Sequence, residues 1–160
     1  MTETRVGIGV DAHGFADGVP LVLGGVALES ARGLAGHSDG DVITHALVDA
    51  LLGAAGLGDI GSFFPSNDQR WAGASSLRFL EETYGAVRDE GWELVNADCV
   101  LVGEEPRIAP FRDEMRERLA AALGVASDRV AVRATTTDGL GFTGRGEGLA
   151  AQAVALLARR

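Results

Sequence analysis

The sequence is short of cysteine, of positive charge and of long hydrophobic runs, and each shortage excludes a class of protein. Cys99 is the only cysteine, so an internal disulfide is impossible and a cytoplasmic location is expected. Asp and Glu number 23 against 14 Lys and Arg, and no basic cluster occurs, so nucleic acid is not an expected partner. Apolar runs stop well before the roughly 20 residues of a membrane span, so no membrane association is expected either.

The composition does provide enough apolar residues for a core. Hydrophobic residues make up 46% of the 160 residues and charged residues 23%, which is typical of an ordered globular chain. No internal repeat, low-complexity tract or long linker divides the chain, so residues 1–160 are expected to form one domain. The formal net charge of −9 means that a phosphorylated ligand needs local positive potential from a metal, an Arg or free backbone N–H groups.

Hydrophobic periodicity and capping signals predict strands interleaved with helices. In chain order, the predicted elements are a strand at 6–10, a hairpin at 21–28, a helix from a Ser38 or Asp39 cap to Ala54, a loop at 56–65, a helix from a Ser75 or Ser76 cap to Val87, a strand at 94–102, a helix from Pro110 to Gly124, a strand at 130–135, and a segment at 149–157 that fits either helix or strand. This order predicts an α+β fold: a single-domain α/β sandwich with a mixed sheet, helices on one face and ferredoxin-like elements.

All three histidines fall in two short segments that also carry carboxylates, 11–13 and 37–45. Residues two apart on a strand point to the same face, so Asp11 and His13 can bind one ion. His45 lies on the first predicted helix, on a face that it shares with Asp41. One Asp and two His provide three protein ligands and leave a fourth tetrahedral position open, as in catalytic zinc sites.

Two histidines compete for the third ligand position. His45 is held by a helix, whereas His37 lies on loop backbone and is better placed for a substrate oxygen, so we favour Asp11, His13 and His45. The alternative is that these are ordinary surface or core residues. Segment 37–41 also ends where a helix begins, and its free N–H groups suit an anionic oxygen as well as simple capping.

Two further segments combine glycine with reactive side chains. In the glycine-rich segment 134–148, Asp138 suits a hard cation such as Mg²⁺, and Arg145 suits a bidentate phosphate contact. It is not a Walker A loop because no Gly-Lys-Ser/Thr follows, and by composition alone an ordinary flexible loop fits equally well. In segment 59–65, Asp59 lies beside glycines and two phenylalanines, which suggests a substrate-facing loop, although aromatic residues there more often fill the core.

Five segments, taken together, resemble the 2-C-methyl-D-erythritol 2,4-cyclodiphosphate synthase family along nearly the whole chain. Each is weak alone, but five in order are highly specific. They are Gly-Val-Asp-Ala-His at 9–13, His-Ser-Asp-Gly-Asp-Val at 37–42 with His45, residues 46–55, Gly-Asp-Ile-Gly at 58–61, and residues 134–148. The resemblance implies conversion of 4-diphosphocytidyl-2-C-methyl-D-erythritol 2-phosphate to a cyclic diphosphate plus CMP, in non-mevalonate isoprenoid biosynthesis.

The resemblance also implies a homotrimer with active sites between neighbouring subunits. It implies Zn²⁺, or another divalent transition metal, on Asp11, His13 and His45, and Mg²⁺ or Mn²⁺ on Asp138. His37, Thr136 and Asp138 are expected to act at the reacting phosphates. The implied contacts to the methylerythritol phosphate part are His37, Ser38, Asp59 and Gly61. The cytidine end is expected to lie against an adjacent subunit, at Gly103, Pro106, Arg107, Ile108, Ala109, Thr135 and Thr136. Phe64 and Ser66 are further expected substrate contacts, and Phe142 and Arg145 are expected on the trimer axis, where family members can hold an isoprenoid diphosphate.

The sequence departs from the family pattern at a few positions. Asp138 stands where Glu is usual, Gly139 replaces a usual Lys, and Ser66 stands where Asp usually follows Phe-Pro. Segment 103–107 is more acidic than usual. These departures affect individual contacts rather than the implied reaction class.

In the implied reaction, the 2-phosphate oxygen attacks the β-phosphorus and expels CMP. Because the nucleophile is already an anion, the protein has to align two repelling phosphates and spread their charge rather than supply a strong base. Two other hypotheses stay open. One is a nucleotide-binding regulatory trimer that has lost catalysis, favoured by Asp138 and Gly139. The other is a zinc phosphohydrolase, for which His37 is the only obvious base.

Overall fold

The computed structural model describes residues 1–159, which form seven strands, five α-helices and three single-turn 3₁₀ helices. The strands are β1 (Glu3–Asp17), β2 (Leu21–Leu23), β3 (Val26–Leu28), β4 (Arg32–Leu34), β5 (Glu93–Val102), β6 (Val130–Thr135) and β7 (Gly148–Arg159). The helices are α1 (Val42–Ala55), α2 (Ile60–Phe63), α3 (Ser76–Asp89), α4 (Arg112–Leu123) and α5 (Gly141–Gly144). Among the described residues, no helix is both long enough and apolar enough to cross a bilayer.

Five strands form one mixed sheet in the order β4-β1-β7-β5-β6, and β2 pairs with β3 separately. β7 runs antiparallel to both of its neighbours, whereas β5 and β6 are parallel and are connected through α4. A parallel pair needs such a crossover, while antiparallel neighbours do not. The predicted α+β fold with a mixed sheet is therefore confirmed.

The segment that fits either helix or strand by sequence is β7, a central strand of the sheet. Its residues alternate between buried and more exposed positions, with Ala151, Ala153, Ala155 and Leu157 buried. Period-two burial is the pattern of a strand with one covered face. Pairing on both edges thus outweighs the helix propensity of alanine and leucine in this segment.

The same alternation along β1 separates a covered face from an exposed one. Gly7 and Gly9 are directed toward α1, whereas Val6, Ile8 and Val10 are exposed on the opposite side. The larger helices α1, α3 and α4 pack on the covered side of the sheet or on one another. The opposite face of β1 therefore presents a row of uncovered apolar side chains.

Close approach of α1 to β1 sets the position of the candidate site. A Cβ on Gly9 would overlap the carbonyl oxygen of Ala46, so only glycine lets the helix backbone lie directly on the strand. Asp11 and His13 continue the Gly9 face of the strand. His45 precedes Ala46 on the helix, so the contact brings His45 over Asp11 and His13.

The cap of α1 is Asp41, and the expectation of Ser38 or Asp39 as the cap is wrong. The Asp41 carboxylate accepts hydrogen bonds from the backbone N–H of Thr44 (3.1 Å), the Thr44 hydroxyl (2.6 Å) and, in the β2–β3 turn, the N–H groups of Gly24 (2.9 Å) and Gly25 (2.7 Å). Asp41 has no exposed surface, and burial raises the pKa of its carboxyl. It fixes this turn against α1 instead of joining His45 as a ligand.

Segment 56–65, expected to be a loop throughout, contains the short helix α2. Asp59 caps it by accepting the N–H of Ser62 at 2.9 Å, in a reciprocal capping box. Phe64 is buried, with its ring 4.6 Å from Phe79 and 4.9 Å from Trp71. The Phe64 side chain therefore fills the core, which leaves its backbone for the predicted substrate contact.

Candidate active site

Three side chains of the types that bind metal ions lie close together, near the start of α1. Two of them are on the face of β1 that carries Gly7 and Gly9. Asp11 Oδ2 lies 2.8 Å from His13 Nε2 and 3.1 Å from His45 Nδ1, and the two nitrogens are 3.4 Å apart. This is the group that the sequence predicts as ligands. The structure brings these three residues together and leaves His37 outside the group.

The spacing of these atoms fits one divalent ion. A tetrahedral zinc ion with ligands at about 2.0–2.1 Å separates its ligand atoms by roughly 3.3 Å. The observed separations of 2.8–3.4 Å lie close to that value and involve one carboxylate oxygen and two imidazole nitrogens. Three such ligands leave a fourth position open for substrate or water.

The three groups are electrostatically coupled. Burial by itself would raise the pKa of Asp11, but the hydrogen-bonding and charge interactions with His13 and His45 outweigh it and lower the pKa to about 2. The hydrogen bond to Asp11 raises the pKa of His13, with burial opposing it and the Ala35 backbone adding to it. Asp11 is therefore an anion across the physiological range, as a metal ligand has to be.

The His45 ring is held rigidly by its surroundings. It is buried, and its plane stacks on Phe79 with ring centroids 5.9 Å apart. Its second nitrogen, Nε2, lies 2.7 Å from Ser76 Oγ and 3.0 Å from Ser38 Oγ. His37, by contrast, is exposed, and its Nε2 lies 3.2 Å from the Asp68 carbonyl oxygen.

The residues predicted for the cytidine end line one pocket. The cavity has a volume of about 290 Å³ and lies between the segment after β5 and the end of β6. Its lining includes all seven residues predicted for this role: Gly103, Pro106, Arg107, Ile108, Ala109, Thr135 and Thr136. A single pocket thus collects two segments that are about 30 positions apart in the sequence.

Sequence reasoning missed Arg112, which also lines this pocket. Its Nε is buried without a hydrogen-bond partner among the described residues. A buried guanidinium donor of this kind favours an anion or a carbonyl acceptor as its partner. The only sequence signal is an Arg at the first position of a helix, which is unremarkable without the structure.

Asp138 lies apart from the three-ligand group, in an exposed turn where its φ is +53°. The Thr136 hydroxyl donates to Asp138 Oδ1 at 3.3 Å, which ties the turn to the end of β6. Gly139 N–H donates to Glu104 Oε1 at 3.3 Å, beside the pocket. The structure thus places Asp138 next to the predicted cytidine residues of its own chain.

The other predicted site residues occupy exposed positions. Asp59 and Gly61 lie at the start of α2, and Ser66 follows it. Phe142 is 44% exposed, and Arg145 pairs with Glu147 at 2.8 Å in the glycine-rich segment. Their substrate contacts stay predictions.

An α+β fold with three converging metal ligands and a separate small pocket defines the class as a candidate metalloenzyme. The sequence profile of the YgbB family matches residues 4–158, and the chain belongs to this family. A relative from Moorella thermoacetica, the 2-C-methyl-D-erythritol 2,4-cyclodiphosphate synthase, is 58% identical over 156 residues, which cover 98% of this chain and 96% of that protein.

Solved structures agree with this membership. The bifunctional IspDF protein from Campylobacter jejuni matches with a TM-score of 0.96 and 41% identity, over all of this chain and 43% of that longer protein. A 2C-methyl-D-erythritol-2,4-cyclodiphosphate synthase in its CDP-bound form matches with a TM-score of 0.87 and 40% identity, over 96% of this chain and 99% of that one. The resemblance inferred from the five sequence segments is confirmed.

Proposed function

We propose that this chain converts 4-diphosphocytidyl-2-C-methyl-D-erythritol 2-phosphate to 2-C-methyl-D-erythritol 2,4-cyclodiphosphate and CMP. It is then a phosphorus–oxygen lyase of the non-mevalonate isoprenoid pathway. Membership of the family along nearly the full chain supports the activity. The observation in the molecule that carries the proposal is the convergence of Asp11, His13 and His45 on one point.

The ligand types and spacing support Zn²⁺, or another divalent transition metal, on Asp11, His13 and His45, and the exposed carboxylate of Asp138 supports Mg²⁺ or Mn²⁺. When bound, such ions polarise phosphate oxygens and neutralise the charge that develops as a phosphoryl bond breaks. The positive charge of these ions offsets the repulsion between a phosphorylated substrate and a chain of formal net charge −9.

The role of the chain itself is to hold the two ends of the substrate. The pocket at 103–109 and 135–136 suits the cytidine end, and Arg112 adds a positive donor there. His37, Ser38, Asp59 and Gly61 are proposed to hold the methylerythritol phosphate end. The 2-phosphate oxygen then attacks the β-phosphorus in line, and CMP leaves with the electrons of the broken P–O bond.

We also propose a homotrimer in which each site uses two subunits. Val6, Ile8 and Val10 on β1, with Val154 on β7, leave an apolar patch on the uncovered face of the sheet. Such a patch on a small acidic protein favours burial against another copy of the chain. In the trimer, Phe142 and Arg145 are proposed to line the axis, where an isoprenoid diphosphate can bind.

Three other sequence predictions stand as parts of this proposal. One domain over 1–160 is supported by the single apolar core to which the elements of both chain halves contribute. The ferredoxin-like character is supported by the β5-α4-β6 unit. A cytoplasmic location stays a prediction, which fractionation of cells followed by immunodetection tests.

The proposed activity is tested by incubating the protein with the substrate and Mg²⁺ and following CMP and cyclic diphosphate by phosphorus NMR. The expected result is formation of both products in equal amounts. Nucleotide binding without CMP release would instead favour the regulatory trimer. Free phosphate from simple esters would favour the phosphohydrolase.

A further inference from the structure

Both ring nitrogens of His45 are engaged, on opposite sides. Nδ1 faces Asp11 and His13, and Nε2 lies 2.7 Å from Ser76 Oγ. Ser76 is fully buried at the start of α3; its backbone N–H donates to Asp39 Oδ2 at 2.9 Å, and its hydroxyl donates to Asp39 Oδ1. Asp39, Ser76 and His45 are therefore joined by a continuous series of hydrogen bonds that leads to the candidate metal ligands.

The chemistry of these three groups determines which one donates and which one accepts in each hydrogen bond. An ionised carboxylate only accepts hydrogen bonds, so the single hydroxyl hydrogen of Ser76 is directed to Asp39. The lone pairs of Ser76 Oγ are then left to accept from His45 Nε2–H. A neutral imidazole with its hydrogen on Nε2 carries its free lone pair on Nδ1, which is the atom that faces Asp11 and His13.

We propose that Ser76 and Asp39 are positioning residues for the metal. They fix the hydrogen of the His45 ring on Nε2 and so hold the Nδ1 lone pair ready to coordinate. Partners of this kind orient ligating imidazoles and raise metal affinity by about 10- to 100-fold. This inference rests on the metal site of the proposed function and adds two residues to it that are not ligands.

Neighbouring hydroxyls make the inference specific. Ser38 Oγ lies farther from His45 Nε2, at 3.0 Å, and lies 3.5 Å from Ser76 Oγ. Ser75, next to Ser76, caps α3 by accepting the N–H of Leu77 at 3.3 Å, and its exposed side chain belongs to the same helix end. Ser75 is therefore the matched control for helix capping without the contact to His45.

Two substitutions disrupt this series of hydrogen bonds in different ways. Ser76→Ala removes the nearer of the two hydroxyl oxygens at His45 Nε2, leaves Ser38 Oγ at 3.0 Å, and is expected to weaken Zn²⁺ binding about tenfold. Asp39→Asn weakens the other end of this series of hydrogen bonds. The carboxylate accepts the backbone N–H of Asp41 (3.1 Å) and the Ser76 hydroxyl at Oδ1 and the backbone N–H of Ser76 at Oδ2, whereas an amide accepts through one oxygen only. The Ser76 hydroxyl is then held less firmly, and the expected loss of affinity is about tenfold.

The experiment measures the Zn²⁺ dissociation constant of the full chain by competition with a chelator. Wild type, Ser76→Ala, Asp39→Asn, Ser75→Ala and the hydroxyl-retaining Ser76→Thr are compared. Ser75→Ala and Ser76→Thr are expected to stay within about threefold of wild type, since neither removes the acceptor for Nε2–H. Melting of each metal-free variant, followed by circular dichroism, reports folding separately.

A spectroscopic readout identifies the hydrogen bond itself. In the zinc-loaded wild type, the His45 Nε2–H signal in a ¹H–¹⁵N spectrum is expected to be protected from exchange with water. The signal is expected to persist in Ser75→Ala and to be lost in Ser76→Ala. Retention of the protected signal in Ser76→Ala would contradict the assignment of Ser76 as the acceptor.

The outcomes separate two failures. A wild type that binds no zinc overturns the proposed metal site and the positioning role with it. A wild type that binds one zinc, with Ser76→Ala and Asp39→Asn within about twofold of it, overturns the positioning role alone. An equal loss in Ser75→Ala and Ser76→Ala also overturns it, because loosening of the helix end would then account for the effect.

Discussion

The three-ligand group and the turn that carries Asp138 differ in how much of each proposed metal site a single chain supplies. Asp11, His13 and His45 are at least half-buried and converge to within 3.4 Å, on a strand and a helix held in direct backbone contact. Asp138 is exposed on a turn, with Thr136 as its hydrogen-bond partner. The first group is preorganised within one chain, whereas the proposed site at Asp138 would need substrate, an ion or a neighbouring copy of the chain to complete it.

The contrast has a simple physical cause. Clustering a carboxylate and two imidazoles costs desolvation, and packing of α1 on β1 provides the rigidity that offsets it. An exposed carboxylate keeps its hydration and needs no such support. This division suits a reaction in which one ion stays with the protein and a second arrives with the substrate, since Mg²⁺ sites commonly use substrate phosphates as ligands.

The largest effect is expected from His45→Ala, which removes one of the three side chains of the preorganised group. Turnover should fall by roughly 100- to 1,000-fold, as it does when preorganised charge stabilisation is removed. Zinc content should fall from one per subunit to near zero, while CMP affinity stays within about twofold because the cytidine pocket is separate. Product formation, elemental analysis and calorimetry measure these three quantities. Turnover close to wild type in metal-depleted buffer would rule out the zinc role.

Asp138→Asn tests the proposed second metal site, on the exposed turn. Loss of one negative ligand should raise the Mg²⁺ concentration needed for half-maximal turnover by about tenfold. Zinc content should not change, because Asp138 lies outside the three-ligand group. A Mg²⁺ titration of the rate, beside zinc analysis of the same sample, tests this. Parallel loss of zinc would mean that the two sites are not independent.

Gly9→Ala tests whether backbone contact creates the preorganised site. The added Cβ would overlap the Ala46 carbonyl, and overpacking of this kind costs about 3 kcal/mol in the free energy of unfolding. Gly85→Ala is the matched control, because its Cβ meets no atom within 4 Å on α3 and should stabilise by about 0.5–1 kcal/mol. Urea unfolding measures both. Equal stability of the two variants would contradict the close approach.

Ile8→Glu tests whether a neighbouring copy covers the exposed strand face. Ile8 is 65% exposed in the single chain, so the monomer should fold, while the proposed trimer should dissociate at micromolar concentration. Glu82→Lys on the outer side of α3 changes charge far from that face and should leave the assembly intact. Light scattering coupled to size-exclusion chromatography distinguishes the two species. A trimeric Ile8→Glu protein would place the interface elsewhere.

The smallest effect is expected at Cys99, which lies in the core beside neither site. Burial raises the pKa of its thiol to about 12, so almost no thiolate is present at pH 8. Iodoacetamide should leave the native protein unmodified over hours, without loss of activity, and should alkylate it rapidly in urea. Mass spectrometry follows the reaction. Rapid alkylation of the native protein would show that the core opens.

Local rules were sufficient to predict the preorganised ligands. Asp11 and His13 follow from strand alternation, and His45 follows from its place on an amphipathic helix. The family resemblance supplied the residues of the cytidine pocket, which no spacing rule predicts.

Contacts between distant segments could not be predicted in this way. The hydrogen bonds that Asp41 accepts from the β2–β3 turn join it to residues 16 to 17 positions earlier in the chain. The link from Asp39 to Ser76 spans 37 residues, and both side chains look like ordinary helix caps in the sequence. Arg112 lines the pocket because α4 begins at its wall. In each case tertiary packing decides the surroundings of a common polar residue.

The most direct test of a site shared between subunits mixes two variants, His45→Ala and Asp138→Ala, and assays them at a low Mg²⁺ concentration at which neither variant is active alone. After unfolding and refolding together in equal amounts, an interface that joins an intact ligand group to an intact Asp138 from its neighbour should regain activity. Random assembly of a cyclic trimer predicts recovery of about a quarter of wild-type turnover, whereas each variant refolded alone stays inactive. Absence of recovery from trimers shown to be mixed would contradict the account, because the whole site would then belong to one chain.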